Sequence, residues 1–254
     1  MSFVTAAERI LQSLGVSEPK EIDLEAIAWL KGAIVKYRPL ERCEATIVGS
    51  DSRAVISVNS TSPAARRRFS LAHELGHWHH HRGQVLFCGD REIADPANDA
   101  LNPERQADEF ASDLILPNYI LLPRLRKVKR PTLLVARELA DDFCASLTAT
   151  LIKITLANCF PMVVVCHGRT RRRWFKRAPM IQPWWFPNEQ LDTQSFAADL
   201  LLNGAGEQNF PRKIGADAWF DFKNCDQFVV EEQSFLLPNN EVLTVLILPA
   251  VAVA

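Results

Sequence analysis

Residues 62–81, Ser-Pro-Ala-Ala-Arg-Arg-Arg-Phe-Ser-Leu-Ala-His-Glu-Leu-Gly-His-Trp-His-His-His, constrain this chain more than any other stretch. Ser62 followed by Pro63 predicts a helix start, with a hydroxyl at the N-cap and a proline in the first turn. From there Phe69, Ala72, His73, Gly76, His77 and His80 recur at three- and four-residue spacing, so they share one face of a helix. His73 and His77 stand one turn apart on that face. Two imidazoles so placed can bind one ion at about 2.0–2.1 Å each. Glu74 lies about 100° round the helix from His73. It is badly placed to join the same tetrahedron, but it can reach a water beside the ion.

This is the H-E-x-x-H spacing of zinc hydrolases, although five residues alone fit an ordinary helix with two histidines equally well. A catalytic site needs a third protein donor and an open fourth position. The candidate donor lies in residues 102–117, where Asn102 caps, Pro103 opens and Pro117 closes a second helix. Glu104, Ala107, Asp108 and Ala111 fall on one stripe of it, and Phe110, Leu114 and Ile115 on the adjoining one. Glu104 can supply a carboxylate ligand. Asp108, one turn later, can accept the free N–H of a ligating histidine and fix its tautomer. Ala107 and Ala111 keep the face small, so the two helices can approach closely. The reading fails if the paired rings and Glu104 lie more than about 10 Å apart, because one ion could not then bridge them.

Arg-Phe-Ser-Leu-Ala-His-Glu-Leu-Gly-His, then His81-Arg82, then Glu104-x-x-Ala-Asp-x-Phe-Ala and Leu114-Ile-Leu-Pro117, resemble the ImmA/IrrE family of bacterial and phage metallopeptidases. The resemblance is close over roughly residues 45–120 and loose elsewhere. It implies a gluzincin-like zinc site with ligands His73, His77 and Glu104, and Glu74 as catalytic base. It also implies a substrate: members typically cleave, and so inactivate, a helix-turn-helix repressor of the XRE type, here in a stress, prophage or mobile-element switch. Zinc is the expected metal and manganese the alternative. Tyr119 is a candidate donor to the oxyanion of the reaction, with a simply packed tyrosine as its competing reading.

Net charge is −1, which gives the chain no global attraction to nucleic acid or to acidic membranes. The six cysteines, at 43, 88, 144, 159, 166 and 225, form no C-x-x-C pair, so a cysteine-based zinc or redox motif is not expected. Reduced thiols, the acidic and basic residues Glu8 and Arg9 near the start, and the lack of a membrane-length apolar run lead us to expect a cytoplasmic protein without a signal peptide.

The remaining pattern predicts helices over 3–14 and 22–31, the latter capped by Asp23, a strand near 34–38, and a hairpin of 45–49 with 53–59. Residues 53–59 are the candidate sheet edge for holding an extended substrate. Residues 82–101 read as a loop that could line or cover the cleft, with a short strand at Val85–Cys88. Residues 139–146 resemble a helix-turn-helix junction, but the following helix offers only Lys153 to DNA, so direct DNA binding is not expected. A hairpin about Gly168, a helix over 195–202 and strands near 218–222, 227–236 and 242–248 complete the chain. The basic run 169–177 reads as a wet hairpin face, and Trp184 and Trp185 as a partner anchor or as packing. The expected class is α+β: a mainly helical zincin-like peptidase domain with a small sheet (1–125), a helix-turn-helix-like segment (126–160), and an antiparallel α+β domain for regulation or substrate docking (161–254). The rival class is a non-catalytic metal-containing regulator or toxin–antitoxin partner, which a fourth donor such as His80 or His81 would favour.

Overall fold

The computed structural model describes residues 4–50, 52–82, 102–207 and 209–253. The chain is α+β and divides into two compact units, Met1–Pro123 with Ala140–Ser146, and Arg124–Leu139 with Leu147–Ala254. Residues 126–160 are therefore distributed over both units. Among the described residues, no helix is long and apolar enough to cross a membrane.

The first unit begins with α1 (Ala6–Ser13), whose Thr5 and Glu8 form a capping box, and α2 (Leu24–Leu30), where Asp23 accepts from the Ala26 N–H at 2.9 Å. A three-stranded sheet follows: β1 (Ala33–Arg38), β2 (Ala45–Gly49) and β3 (Ala54–Asn59), in the order β1-β3-β2. The hairpin pairs β2 antiparallel with β3, and β1 takes the other side of β3 in parallel. Residues 53–59 are thus the middle of the sheet and not its edge, because both rows of their backbone groups face a neighbouring strand. Ile56 and Val58 are fully buried there.

Next comes α3 (Ala64–His80), the histidine helix, and then α4 (Pro103–Ile115) and α5 (Asn118–Leu125). The start of α3 departs from expectation. Pro63 holds the cap position without a side-chain bond, and the Ser62 hydroxyl turns away to donate to Glu44 Oε2 at 2.5 Å. The start of α4 follows expectation, with Asn102 accepting the Glu104 N–H at 3.0 Å and Pro103 in the first turn. The far end of α3 is tied to the α2–β1 turn. There the Trp78 indole donates to the Lys31 carbonyl at 2.8 Å, and Arg82 donates to the same oxygen while lying 4.3 Å over the Trp78 ring.

Helix α3 meets α4 at Gly76. A Cβ on Gly76 would fall 2.8 Å from the Ala107 Cα and 3.0 Å from its carbonyl oxygen. Ala107 and Ala111 are fully buried at this seam, and small residues on both helices permit the approach.

The second unit is built on an antiparallel sheet ordered β5-β4-β8-β7-β6: β4 (Met162–His167), β5 (Arg172–Arg177), β6 (Arg212–Gly215), β7 (Val229–Leu237) and β8 (Glu241–Ile247). Helix α6 (Leu133–Asp142) belongs to this unit up to Leu139, and Cys144, at φ 51°, lies in the Ala140–Ser146 stretch of the first unit; α7 (Leu147–Leu156) packs on β4 and β5 and buries Leu151, Lys153 and Ile154. The sheet's main core holds Trp185, Trp219 and Phe220 beside α8 (Phe196–Leu202). Trp184 remains exposed. In place of the strand expected near 218–222 there is a 3-10 turn over Ala216–Ala218 and an isolated bridge of Phe220 to Pro187, with Trp219 and Phe220 in the core. The strand in this region lies earlier, in the short polar edge β6. Three arginines of the basic run are engaged with neighbours of the hairpin and within it. Arg172 lies over the Phe175 and Phe186 rings, Arg173 pairs with Glu241 at 2.9 Å, and Arg177 donates to the Pro183 carbonyl at 2.6 Å.

His167 at the end of β4 is buried. Its Nε2 contacts the Asn188 carbonyl at 3.2 Å and its Nδ1 has no partner. Burial pushes its pKa down to about 4, with Arg172 adding to the shift and the Asn188 carbonyl opposing it.

Two outcomes follow from these contacts. Gly76→Ala should destabilise the first unit by about 1–3 kcal/mol in denaturant titration, because the clash is with backbone and outweighs the helix-propensity gain of about 1 kcal/mol. For His167, the unfolded chain takes up a proton near the ordinary 6.5 and the folded chain only near 4. The second unit should therefore lose stability as pH falls between those values, by up to about 3 kcal/mol. His167→Gln should remove that part of the pH dependence, whatever its stability at neutral pH.

Candidate metal centre

Helix α3 presents His73 and His77 one turn apart, and the Gly76–Ala107 contact brings the first turn of α4 against them. The His73 and His77 Nε2 atoms are 3.0 Å apart. Glu104 Oε2 lies 3.2 Å from His73 Nε2, and Glu104 Oε1 lies 3.2 Å from His77 Nε2. Among the described residues, these three form a cluster of potential ligands whose donor atoms all lie within 4.8 Å of one another. Donors bound at about 2.0–2.1 Å in a tetrahedron sit about 3.3 Å from each other. The observed separations match that spacing.

The proton distribution fits the same purpose. His73 Nδ1 lies 2.9 Å from Asp108 Oδ1, an arrangement that places the ring proton on Nδ1 and leaves the Nε2 lone pair facing the cluster. Burial alone would lower the His73 pKa. The bond to Asp108 and the charges of Asp108, Glu74 and Glu104 outweigh it and raise the value. His77 is fully buried, and burial together with His73 and His81 pushes its pKa down to about 4, so it stays neutral. Two lone pairs and a carboxylate converging on one point form an unfavourable arrangement that a cation relieves. The residues present thus fit a divalent ion. His77 Nδ1, by contrast with His73, is buried without an acceptor.

Glu74 is buried at 2% relative exposure, whereas the Glu104 and Asp108 side chains are 61% and 59% exposed. Among the described residues, the centre is therefore buried on the α3 side and exposed on the α4 side. Tyr119 is placed elsewhere. Its hydroxyl donates to the Val16 carbonyl at 2.7 Å, next to α1, and it follows the C-terminal end of α4 while Glu104 opens that helix. About 16 Å of helix separates the two ends, so this hydroxyl is not positioned for an oxyanion at the cluster. His79 and His80 pack on the Phe110 ring at 5.1 and 5.6 Å. The His81 ring centroid is 5.7 Å from that of His77, and His81 is not a member of the three-residue donor set. The loop expected over 82–101 lies, beyond Arg82, outside the described residues. Gly76 was legible only as one more residue on the histidine face. Its role as the contact point of the two ligand helices shows only when Ala107 is placed opposite.

Because the His73 pKa is raised, protons compete with metal increasingly as pH falls. In a zinc titration of the metal-free protein, affinity should fall as pH drops through that raised value. Asp108→Asn should weaken binding about 10–100-fold at pH 8 and should move the acid-side fall to lower pH. An unchanged affinity would remove Asp108 from the account.

The comparisons with known proteins agree with this geometry. The model of the family described as Peptidase_M78, IrrE N-terminal-like domain, matches residues 32–155, which span both ligand helices. A solved Mycobacterium tuberculosis transcriptional regulator has a similar fold, with a TM-score of 0.63 and 11% identity over 96% of this chain and 75% of that chain. At that identity the likeness speaks for the fold alone. No curated protein matches the chain in sequence. The family match supports a metal-dependent peptidase or an IrrE-like regulator. Residues 32–155, just under half of the chain, are similar to the IrrE N-terminal-like domain of the Peptidase_M78 family, in keeping with the histidine and glutamate motifs.

Proposed function

We propose that the protein is a zinc-dependent endopeptidase that cleaves one specific regulatory protein, a repressor of the XRE helix-turn-helix type. The observation that carries the reading is the triad of donor atoms 3.0–3.2 Å apart, with the buried Glu74 next in sequence to one of them. His73, His77 and Glu104 hold the ion, and Asp108 keeps the His73 Nε2 lone pair turned toward it. When bound, zinc supplies the Lewis acid that polarises a peptide carbonyl and lowers the pKa of water to about 7. Glu74 accepts the proton of the attacking water and returns it to the leaving amine. Among the described residues three protein donors converge, which favours this reading over a closed structural clamp with four. The substrate class rests on the family resemblance.

Reading of DNA by α7 has little to draw on. The helix packs on β4 and β5, and Lys153, its basic residue, is buried. We assign the second unit to substrate docking or regulation.

Glu74→Gln tests the catalytic role. Mixed with XRE-type repressors encoded nearby, the wild-type protein should cut one of them at a single region. The variant should bind one equivalent of zinc and cut at least about 10³-fold more slowly. Retained cleavage, or loss of zinc together with cleavage, would contradict the assignment of Glu74 as base.

A further inference from the structure

A cavity of about 470 Å³ opens in the first unit on the side of α3 away from the histidines. It is lined by Arg67 and Arg68, by the apolar side chains of Leu24 and Leu71, and by Glu25 and Tyr37. Its lining residues on α3 lie about 150° around the helix from His73 and His77, so the cavity is separate from the metal centre. Its size is that of a small-molecule site.

Two guanidinium groups share its wall with Glu25, and the charges of Glu25 and Asp23 also act on Arg68. Arg68 donates through Nη2 to the Ile22 carbonyl at 2.9 Å, while its Nε is buried with no hydrogen-bond partner. Arg67 donates through Nη1 to the Ser60 carbonyl at 3.0 Å. Each guanidinium carries five N–H donors, so both retain capacity beyond these bonds. The one carboxylate in the wall, Glu25, already accepts the Tyr37 hydroxyl. The first turn of α3 holds no acidic residue, and its cap supplies no side-chain bond. The partial positive charge of the helix start adds to the two guanidinium groups. Paired guanidinium forks beside leucine walls recognise a planar or tetrahedral anion attached to an apolar body.

We propose that this cavity binds a small organic anion, with a carboxylate or phosphate group held by Arg67 and Arg68 and its apolar part against Leu24 and Leu71. The site is independent of the peptidase reading, and its test does not depend on cleavage.

Titration calorimetry of the full-length protein with phenyl phosphate, benzoate and inorganic phosphate reads the site directly. One organic probe should bind one-to-one with a Kd of about 1 mM or tighter, and the stronger of the two identifies the head group. Inorganic phosphate should bind about tenfold more weakly for lack of apolar contact. Arg67→Ala should weaken the organic probe about tenfold or more. Ala64→Leu, at an exposed position that also lines the cavity, should do the same by filling it while leaving both charges in place. Should Arg67→Ala fold poorly, the Ala64→Leu arm decides. Failure of both organic probes to bind overturns the proposal. So does binding unchanged in Ala64→Leu, which would put the ligand elsewhere, for instance at the metal centre. Inorganic phosphate binding as tightly as phenyl phosphate would also overturn it, since the ligand would then need no organic body.

Discussion

The approach of two helices at one glycine determines whether this chain has a metal centre at all. His73 and His77 come from a single helix and would face each other in almost any context. The carboxylate of Glu104 arrives from a different helix, more than twenty residues later. It reaches the histidines because Gly76 has no side chain and Ala107 has a small one, so α4 lies against the α3 backbone itself. A larger residue at either position would separate the helices by a fraction of an ångström or more. Donor atoms spaced near the edge of a tetrahedron leave little tolerance for that.

The electrostatics around the centre divide the labour between two histidines that the motif treats alike. His73 has a carboxylate behind it and bears more of the exposed, titratable character. His77 is sealed in the core, neutral, with no acceptor behind its Nδ1. The first is oriented by a hydrogen bond and the second by packing. Glu74 is buried, whereas the Glu104 side chain is largely exposed. The second unit has its own sheet and core.

Local patterns made the ligand helices legible. The Asn102 cap, the prolines at 103 and 117, and the four-residue spacing of both His73–His77 and Glu104–Asp108 are short-range signals that tertiary packing did not override. What escaped the sequence was set by partners distant along the chain. Ser62 reads as a helix cap until Glu44 claims its hydroxyl. Tyr119 reads as a candidate oxyanion donor until the Val16 carbonyl, more than a hundred residues earlier, accepts its hydroxyl hydrogen bond. Residues 53–59 read as an edge because a hairpin is a local object, whereas the parallel pairing of β1 with β3 is not. Strand β6 is four residues of polar edge with no alternation to detect. The basic run 169–177 is visible in the sequence, but the acceptors that engage it, among them Glu241 and the Pro183 carbonyl, are not.

The central claim is that two imidazoles and one carboxylate hold a single ion with a position left for a non-protein ligand. X-ray absorption at the zinc edge, on protein loaded with one equivalent, tests this most directly. The account predicts nitrogen and oxygen neighbours at about 2.0–2.1 Å, a scattering pattern of two imidazoles, and no sulfur. Sulfur at about 2.3 Å, or three or more imidazoles around the ion, would contradict it.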